Sequence, residues 1–258
     1  MTMARSRWVL AACEVGVTAL VIAGVWLYTA NTTSYVLTPL PDIVTAFRET
    51  WLFGAFTSDF VPSMIRLVLG YALSVVVGVA LGFALGSFRT VRVATQPVVT
   101  FVRSIPAAAL VPLAIVLFGI GTSMKVFLIA FVCAWPIVLN TAAALAELDA
   151  TVAATARSYG ISGLDRVRFV VLPAASPRIF AGMRTSISLA VLLLVTSEMF
   201  ASTNGVGYWI IQAQQSFDVS EMWGGILLLG ILGYVLNWTF GLVERRVLRW
   251  HDGLHRLR

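Results

Sequence analysis

Charge is scarce in this chain. Asp, Glu, Lys and Arg make up 12% of 258 residues, where a soluble domain carries about 25%. So little charge cannot cover a solvated surface, which excludes a cytosolic enzyme and a disordered chain. Cysteine is nearly absent as well. Cys13 and Cys133 lie in separate apolar runs with no C-x-x-C, which excludes a disulfide scaffold and a redox pair, and both are read as small core residues. The two histidines, His251 and His255, stand four apart near the C-terminal end with Gly253 between them. With no third ligand and no intervening Glu, no metal site is expected. With its histidines confined to the tail, the chain lacks the nucleophile–base or metal constellation of an intramembrane enzyme. The single lysine, Lys125, belongs to no G-x-x-x-x-G-K-[ST] phosphate loop, so no ATPase site is expected here and the chain is not read as an enzyme.

What is abundant is apolar surface: 59% of residues are hydrophobic and the mean hydropathy is +0.90. A helix needs about 20 apolar residues to cross a bilayer. Leu67–Phe88, Ser104–Met124, Val126–Ala146 and Met222–Val243 have that length without one charge. Trp8–Ala30 is interrupted by Glu14, and Ile179–Ser202 by Arg184 and Glu198. An all-α membrane protein is expected, one domain over 1–258 with six spans near 8–30, 64–88, 97–119, 124–146, 179–202 and 222–244. Only Trp8 and Val9 separate Arg7 from Leu10-Ala-Ala-Cys13, too few for a signal-peptide core, so the first run is expected to be a retained span.

A net charge of +6 would point to nucleic acid in a soluble protein; in a membrane protein the side on which the basic residues lie matters more. With the N-terminus inside, Arg5, Arg7, Arg89, Arg92, Arg157, Arg166, Arg168, Arg178 and the tail from Arg245 to Arg258 fall on the cytoplasmic side. The outer loops hold only Arg48, Arg66 and Lys125. Both termini are therefore expected in the cytoplasm, with the basic tail over anionic lipid headgroups and no nucleic acid bound.

The longest polar stretch is the inner segment 147–178. Asp149 to Tyr159 is rich in helix formers, and Gly160 ends that helix as a C′ glycine does. Ser162 with Asp165 three residues on predicts a capped second helix through Val170, broken at Pro173 and Pro177. Two short helices joined at a glycine form a knob, which reads as a dock for a cytoplasmic partner. On the outer side, Ile43–Phe53 and Gly205–Asp218 are too short to span and read as interfacial or re-entrant helices.

Gly160, nine residues, then Val170-x-Leu172-Pro173 resembles the cytoplasmic signature of binding-protein-dependent ABC importer permeases, Glu-Ala-Ala-x-x-x-Gly-x9-Ile-x-Leu-Pro. Ala154-Thr155-Ala156 stands where the family has Glu-Ala-Ala, so the Glu is absent. Arg103-Ser104-Ile105-Pro106, Val111-Pro112, Phe118-Gly-Ile-Gly121, Leu172-Pro-Ala-Ala175, Glu198-Met199 and Gly205-x-Gly207-Tyr208 are similar, in order and spacing, to permeases of nitrate, sulfonate and taurine importers. The resemblance implies a type I importer (MetI-like) fold in a bacterial inner membrane. It also implies a second permease copy forming a homodimer, two ATP-binding subunits that hold ATP and magnesium, and an extracytoplasmic solute-binding protein. Ala154, Ala156, Arg157, Tyr159, Gly160, Ile161, Leu172 and Pro173 would form the ATPase-coupling element. A small oxyanion (alkanesulfonate, taurine or nitrate) would be the solute. The rival is an ion-coupled secondary transporter or channel without an ATPase partner, for which paired intramembrane charges or a repeat between halves would be expected.

Ionisable groups within spans are candidates for the pathway. Glu198, with Ser197, is read either as a gate or lining group or as a structural partner of Arg66. Arg103 with Ser104, beside the kink expected at Pro106, either attracts an anion or reaches to headgroups. Asn140 and Asn237 are expected to hydrogen-bond between helices. Gly78-x-x-x-Gly82-x-x-x-Gly86, with Gly70, makes a flat ridge for packing within the chain or between copies.

Overall fold

In the computed structural model, residues 38–148 and 150–250 are described, with scattered helical positions between Cys13 and Thr29. The retained first span and the histidine pair lie outside the fully described residues. Every long element is helical, as a chain that must satisfy its backbone inside lipid requires. Among the described residues, four helical segments are long and apolar enough to cross a membrane, and a bent pair brings the number to as many as five.

The larger unit comprises Thr57–Tyr208 and Leu229–Arg258. Its axis is α5 (Thr122–Ala146), flanked by α2 (Val61–Ser87) and α7 (Leu172–Phe200). The glycine ridge of α2 faces α5 within the chain. A Cβ added at Gly78 would come within 2.8 Å of the Ile137 Cβ, and one at Gly82 within 2.5 Å of the Thr141 Cβ. Gly70 and Gly86 meet Ile129 and Leu145 as closely. Lipid tails are as apolar as leucine, so close backbone approach rather than water exclusion holds such helices together. On the other flank, Gly182 of α7 sits against Pro136 and Asn140 of α5. Leu67, Ile129, Cys133, Ala190, Leu193 and Leu194 form the core where the three helices meet.

The stretch 97–119 is not one straight helix. α3 (Arg89–Ser104) ends at Ile105, Pro106 follows in an extended conformation, and after a short turn the chain continues as α4 (Leu110–Phe118). The two arms are bent by 82°. Proline restricts the residue before it to extended backbone, which stops α3 at Ile105.

Three expectations are corrected. Pro173 and Pro177 do not break the chain: Gly163–Phe200 is continuously helical. A π-helical turn over Val167–Val171 leads into α7, and Pro173 occupies its first turn, where no amide partner is needed. Asn140 and Asn237 donate within their own helices, to Pro136 O at 2.8 Å and Gly233 O at 2.9 Å, rather than across. Cys133 is buried, but Cys13 is exposed rather than in a core.

The smaller unit comprises residues up to Phe56 and Trp209–Leu228. α1 (Leu40–Phe47), with Pro41 in its first turn, runs into a π-helical segment over Arg48–Gly54. Trp51 of that segment is buried and meets Trp209 edge-on at 5.9 Å. α8 (Val206–Gln215) turns into α9 (Val219–Val247) through Phe217, and bare Gly225 lets the two approach at Ile210.

Candidate functional site

Two places gather the residues that the sequence singles out. One is the segment between α5 and α7. α6 (Ala150–Ser158) ends in a Schellman motif: Ile161 N–H donates to Ala156 O at 2.9 Å and Gly160 N–H to Arg157 O at 3.0 Å. Gly160 has φ +70°, the left-handed conformation that a residue without Cβ adopts freely. Ala156 is buried, while Ala154, Arg157, Tyr159 and Gly160 are exposed and Ile161 is half-buried. Leu172 and Pro173 open α7. Ser162 precedes the next helical turn, Gly163–Arg166, but its side chain makes no capping bond. The large apolar side chains here point outward, with Tyr159 79% and Leu164 82% exposed, followed by Phe169. At the edge of the segment Arg178 pairs with Glu147 at 2.6 Å. The hydrogen bond and the charge of that guanidinium hold the Glu147 carboxyl below its usual range.

The other place is a buried polar cluster where α2, α7 and the loop before α8 meet. Arg66 Nη1 lies 2.7 Å from Glu198 Oε1, with both side chains closed to solvent. Ser63 Oγ donates to the same carboxylate at 2.8 Å and accepts from Val206 N–H at 3.0 Å. Gly207 N–H donates to Glu198 Oε2 at 3.1 Å. Arg66 also reaches the Asn204 carbonyl at 3.1 Å and its side-chain oxygen at 2.5 Å. Asp59, itself buried, accepts from Gly205 N–H at 2.8 Å. Glu198 is therefore fully hydrogen-bonded, the condition under which a buried charge is tolerated. Lys125, also buried, lies within electrostatic range of Arg66 and Glu198.

The remaining candidates disperse. Ser197 is buried and donates to Leu194 O of its own helix. Ser104 donates to Thr100 O. Pro106 sits at the 82° bend. Arg103 lines a cavity of about 370 Å³ together with Arg92. The sequence reading places Asn204 near Glu198 but does not single out Asp59 and Ser63. Asp59, Ser63 and Arg66 recur at four and three residues, a one-face helical spacing, and that was the available signal. The Arg66–Glu198 pair is also the kind of intramembrane charge pair that the rival transporter reading calls for, so its presence does not separate the two readings.

Known proteins do. The family described as the binding-protein-dependent transport system inner membrane component matches residues 74–249. The putative aliphatic sulfonates transport permease SsuC of Bacillus subtilis (strain 168) is 30% identical over 235 residues, covering 90% of this chain and 85% of that protein. The nitrate import permease NrtB of Leptolyngbya laminosa is 31% identical over 186 residues, covering 72% and 67%. Among solved structures, an inward-facing conformation of the MetNI methionine ABC transporter superposes with a TM-score of 0.63 at 21% identity, covering 77% of this chain and 97% of that one.

Proposed function

The chain belongs to the family of binding-protein-dependent transport system inner membrane components, and from that premise we propose that it carries a small oxyanion inward, driven by ATP hydrolysed on separate subunits. It is the permease of an ABC importer and a multi-pass membrane protein. The similarity to a sulfonate and a nitrate permease supports an alkanesulfonate, taurine or nitrate-like solute. A second copy, two ATPase subunits holding ATP and magnesium, and a solute-binding protein complete the assembly, with both termini in the cytoplasm.

The observation that carries the ATPase coupling is the segment from Ala150 to Val171. It lies between two apolar helices, ends its first helix in a fixed glycine turn, and leaves Tyr159, Leu164 and Phe169 largely exposed. Apolar side chains presented on a polar, rigid protrusion fit a groove on a partner. A rigid knob joined to α5 and α7 transmits a displacement of that partner into the two helices that pack on α2. ATP-driven closure of the ATPase pair would then switch the permease between two packed arrangements. Ala154, where relatives of this signature carry Glu, leaves the contact to packing rather than to an ion pair.

The test is affinity purification of the chain co-expressed with its candidate ATPase subunit. Stoichiometric recovery of ATP hydrolysis, and uptake of a labelled sulfonate or nitrate that stops when ATP is withdrawn, are the expected results. Solute flux that persists without any ATPase subunit overturns the reading.

A further inference from the structure

α3 is amphipathic in the inverse sense for a protein in lipid. Its polar residues Arg92, Gln96, Thr100 and Arg103 follow one another at four, four and three residues, so they share a face. That face lines the cavity of about 370 Å³, closed on the other side by Leu85 of α2 and the last turns of α5. The apolar residues Val93, Val98 and Phe101 are exposed on the other faces; of the polar face, Gln96, Thr100 and Arg103 are exposed and Arg92 is half-buried. The polar face therefore borders an open recess rather than a sealed core. Arg92 lines the cavity, and its Nη1 is buried with no hydrogen-bond partner among the described residues. Among the described residues no Asp or Glu lines the cavity. A shielded guanidinium donor left without an acceptor is costly, and the fork of Arg is shaped for planar or tetrahedral oxyanions.

We propose that Arg92, with Gln96 and Thr100 one and two turns along α3, is a binding subsite for an oxyanion: a sulfonate, nitrate or phosphate group held in the cavity between α3 and the end of α5. Arg103 lies about 16 Å further along the helix, too far for one ion to touch both. It is a second cationic station toward the bend at Pro106. The space admits a small oxyanion with several waters, each occupying about 30 Å³. Its last lining residue on α5, Ala146, adjoins Glu147 and the coupling segment, so the importer reading puts the site at the inner mouth of the permease and makes it a point of solute release. That assignment of the solute rests on the importer reading above; the oxyanion chemistry of the subsite does not.

The full-length chain, reconstituted in phosphatidylcholine nanodiscs, is titrated with labelled ethanesulfonate. Saturable binding is expected, weakened about tenfold or more by Arg92→Gln, as loss of a charge-assisted contact predicts, and less by Arg92→Lys, which keeps the charge but not the fork. Arg48→Gln, which removes an exposed charge that lines no part of the cavity, serves as the control and leaves binding unchanged. Thermal unfolding of each variant shows that it is folded, and Arg92→Lys carries the test if Arg92→Gln is not. A second arm uses nanodiscs containing phosphatidylglycerol with native mass spectrometry. Retained lipid that competes with ethanesulfonate and is lost in Arg92→Gln assigns the same subsite to a headgroup phosphate. Binding of neither probe, or equal binding by the wild type and both Arg92 variants, overturns the proposal. Recovery of the ATPase subunit is measured on the same samples, so failure of the subsite is separable from failure of the importer reading.

Discussion

The Arg66 guanidinium and the Glu198 carboxylate meet at 2.7 Å with the Glu198 side chain wholly buried. One stands early in α2 and the other near the end of α7, so the pair fastens these two long helices to each other at one end. Removing one partner strands the other charge without water. Glu198→Ala and Arg66→Ala are each expected to lower stability by about 3–5 kcal/mol, while the double replacement Arg66→Met with Glu198→Leu is expected to cost much less. Thermal unfolding in detergent of Arg66→Met, Glu198→Leu and the two together, run as a double-mutant cycle, checks this. A double-variant loss equal to the sum of the two single losses would show that the pair carries no coupling.

Gly205 is the hinge of the same cluster. Its φ of +122° lies where L side chains are strained, and a Cβ there would overlap the Glu198 carboxylate. Gly205→Ala is expected to destabilise by about 2–4 kcal/mol, combining backbone strain with displacement of a buried charge. The measurement is the midpoint of unfolding, with loss of folded yield as the lower bound.

Much of this architecture is legible in the sequence because lipid simplifies the code. Apolar runs of span length mark α2, α5, α7 and α9, and Gly160 marks the end of α6, since only a residue without Cβ takes φ +70° at no cost. The reading falters where one proline must be weighed against its neighbours. Pro106 bends the chain because extended residues surround it, whereas Pro173 is absorbed in the first turn of α7 beside a π-helical turn. The cluster around Glu198 is only half visible. Its Arg is reachable by depth and Asn204 by nearness in the chain, but Ser63 and Asp59 join it only once α2 and α7 have packed. Arg92 illustrates the opposite hazard. Counted only as an inner-side positive charge, it hides the polar face that it shares with Gln96 and Thr100.

The ridge on α2 sets the spacing to α5. A Cβ at Gly82 would lie 2.5 Å from the Thr141 Cβ and 2.9 Å from the Val138 carbonyl. Gly82→Ala is therefore expected to cost about 1–3 kcal/mol by overpacking. Thr141→Gly in the same chain removes the opposing Cβ and is expected to recover part of the loss. Unfolding midpoints for the two single variants and the double variant decide it, and additive losses would mean that the two positions do not meet.

Phe217 closes α8 with φ +59°, the left-handed position that a helix C-terminus normally gives to glycine, and its ring is exposed. Asp218 N–H bonds Ala213 O at 2.9 Å, completing the turn. Phe217→Gly relieves the strain at the expense of some unfolded-state entropy, with an expected net gain of about 0.5–1 kcal/mol. A rise in unfolding temperature checks it; a fall would mean that the ring supports the fold despite its exposure.

Leu164 is 82% exposed on the helical turn after Gly160, beside Tyr159 at 79%. It contributes nothing to the chain's own core, so Leu164→Glu is expected to leave unfolding within about 0.5 kcal/mol of wild type, as for other surface substitutions. If the knob seats in an apolar groove, the same change introduces a charge that the groove must desolvate, and recovery of the ATPase subunit is expected to fall at least tenfold. Gly160→Val is expected to act on the same readout by a different route, straining the left-handed turn and misplacing the knob while the ATPase subunit is still partly retained. Quantifying co-purified subunit and ATP-dependent uptake for both variants separates contact from geometry. Undiminished recovery and uptake in Leu164→Glu would show that this surface is not where the ATPase subunit binds.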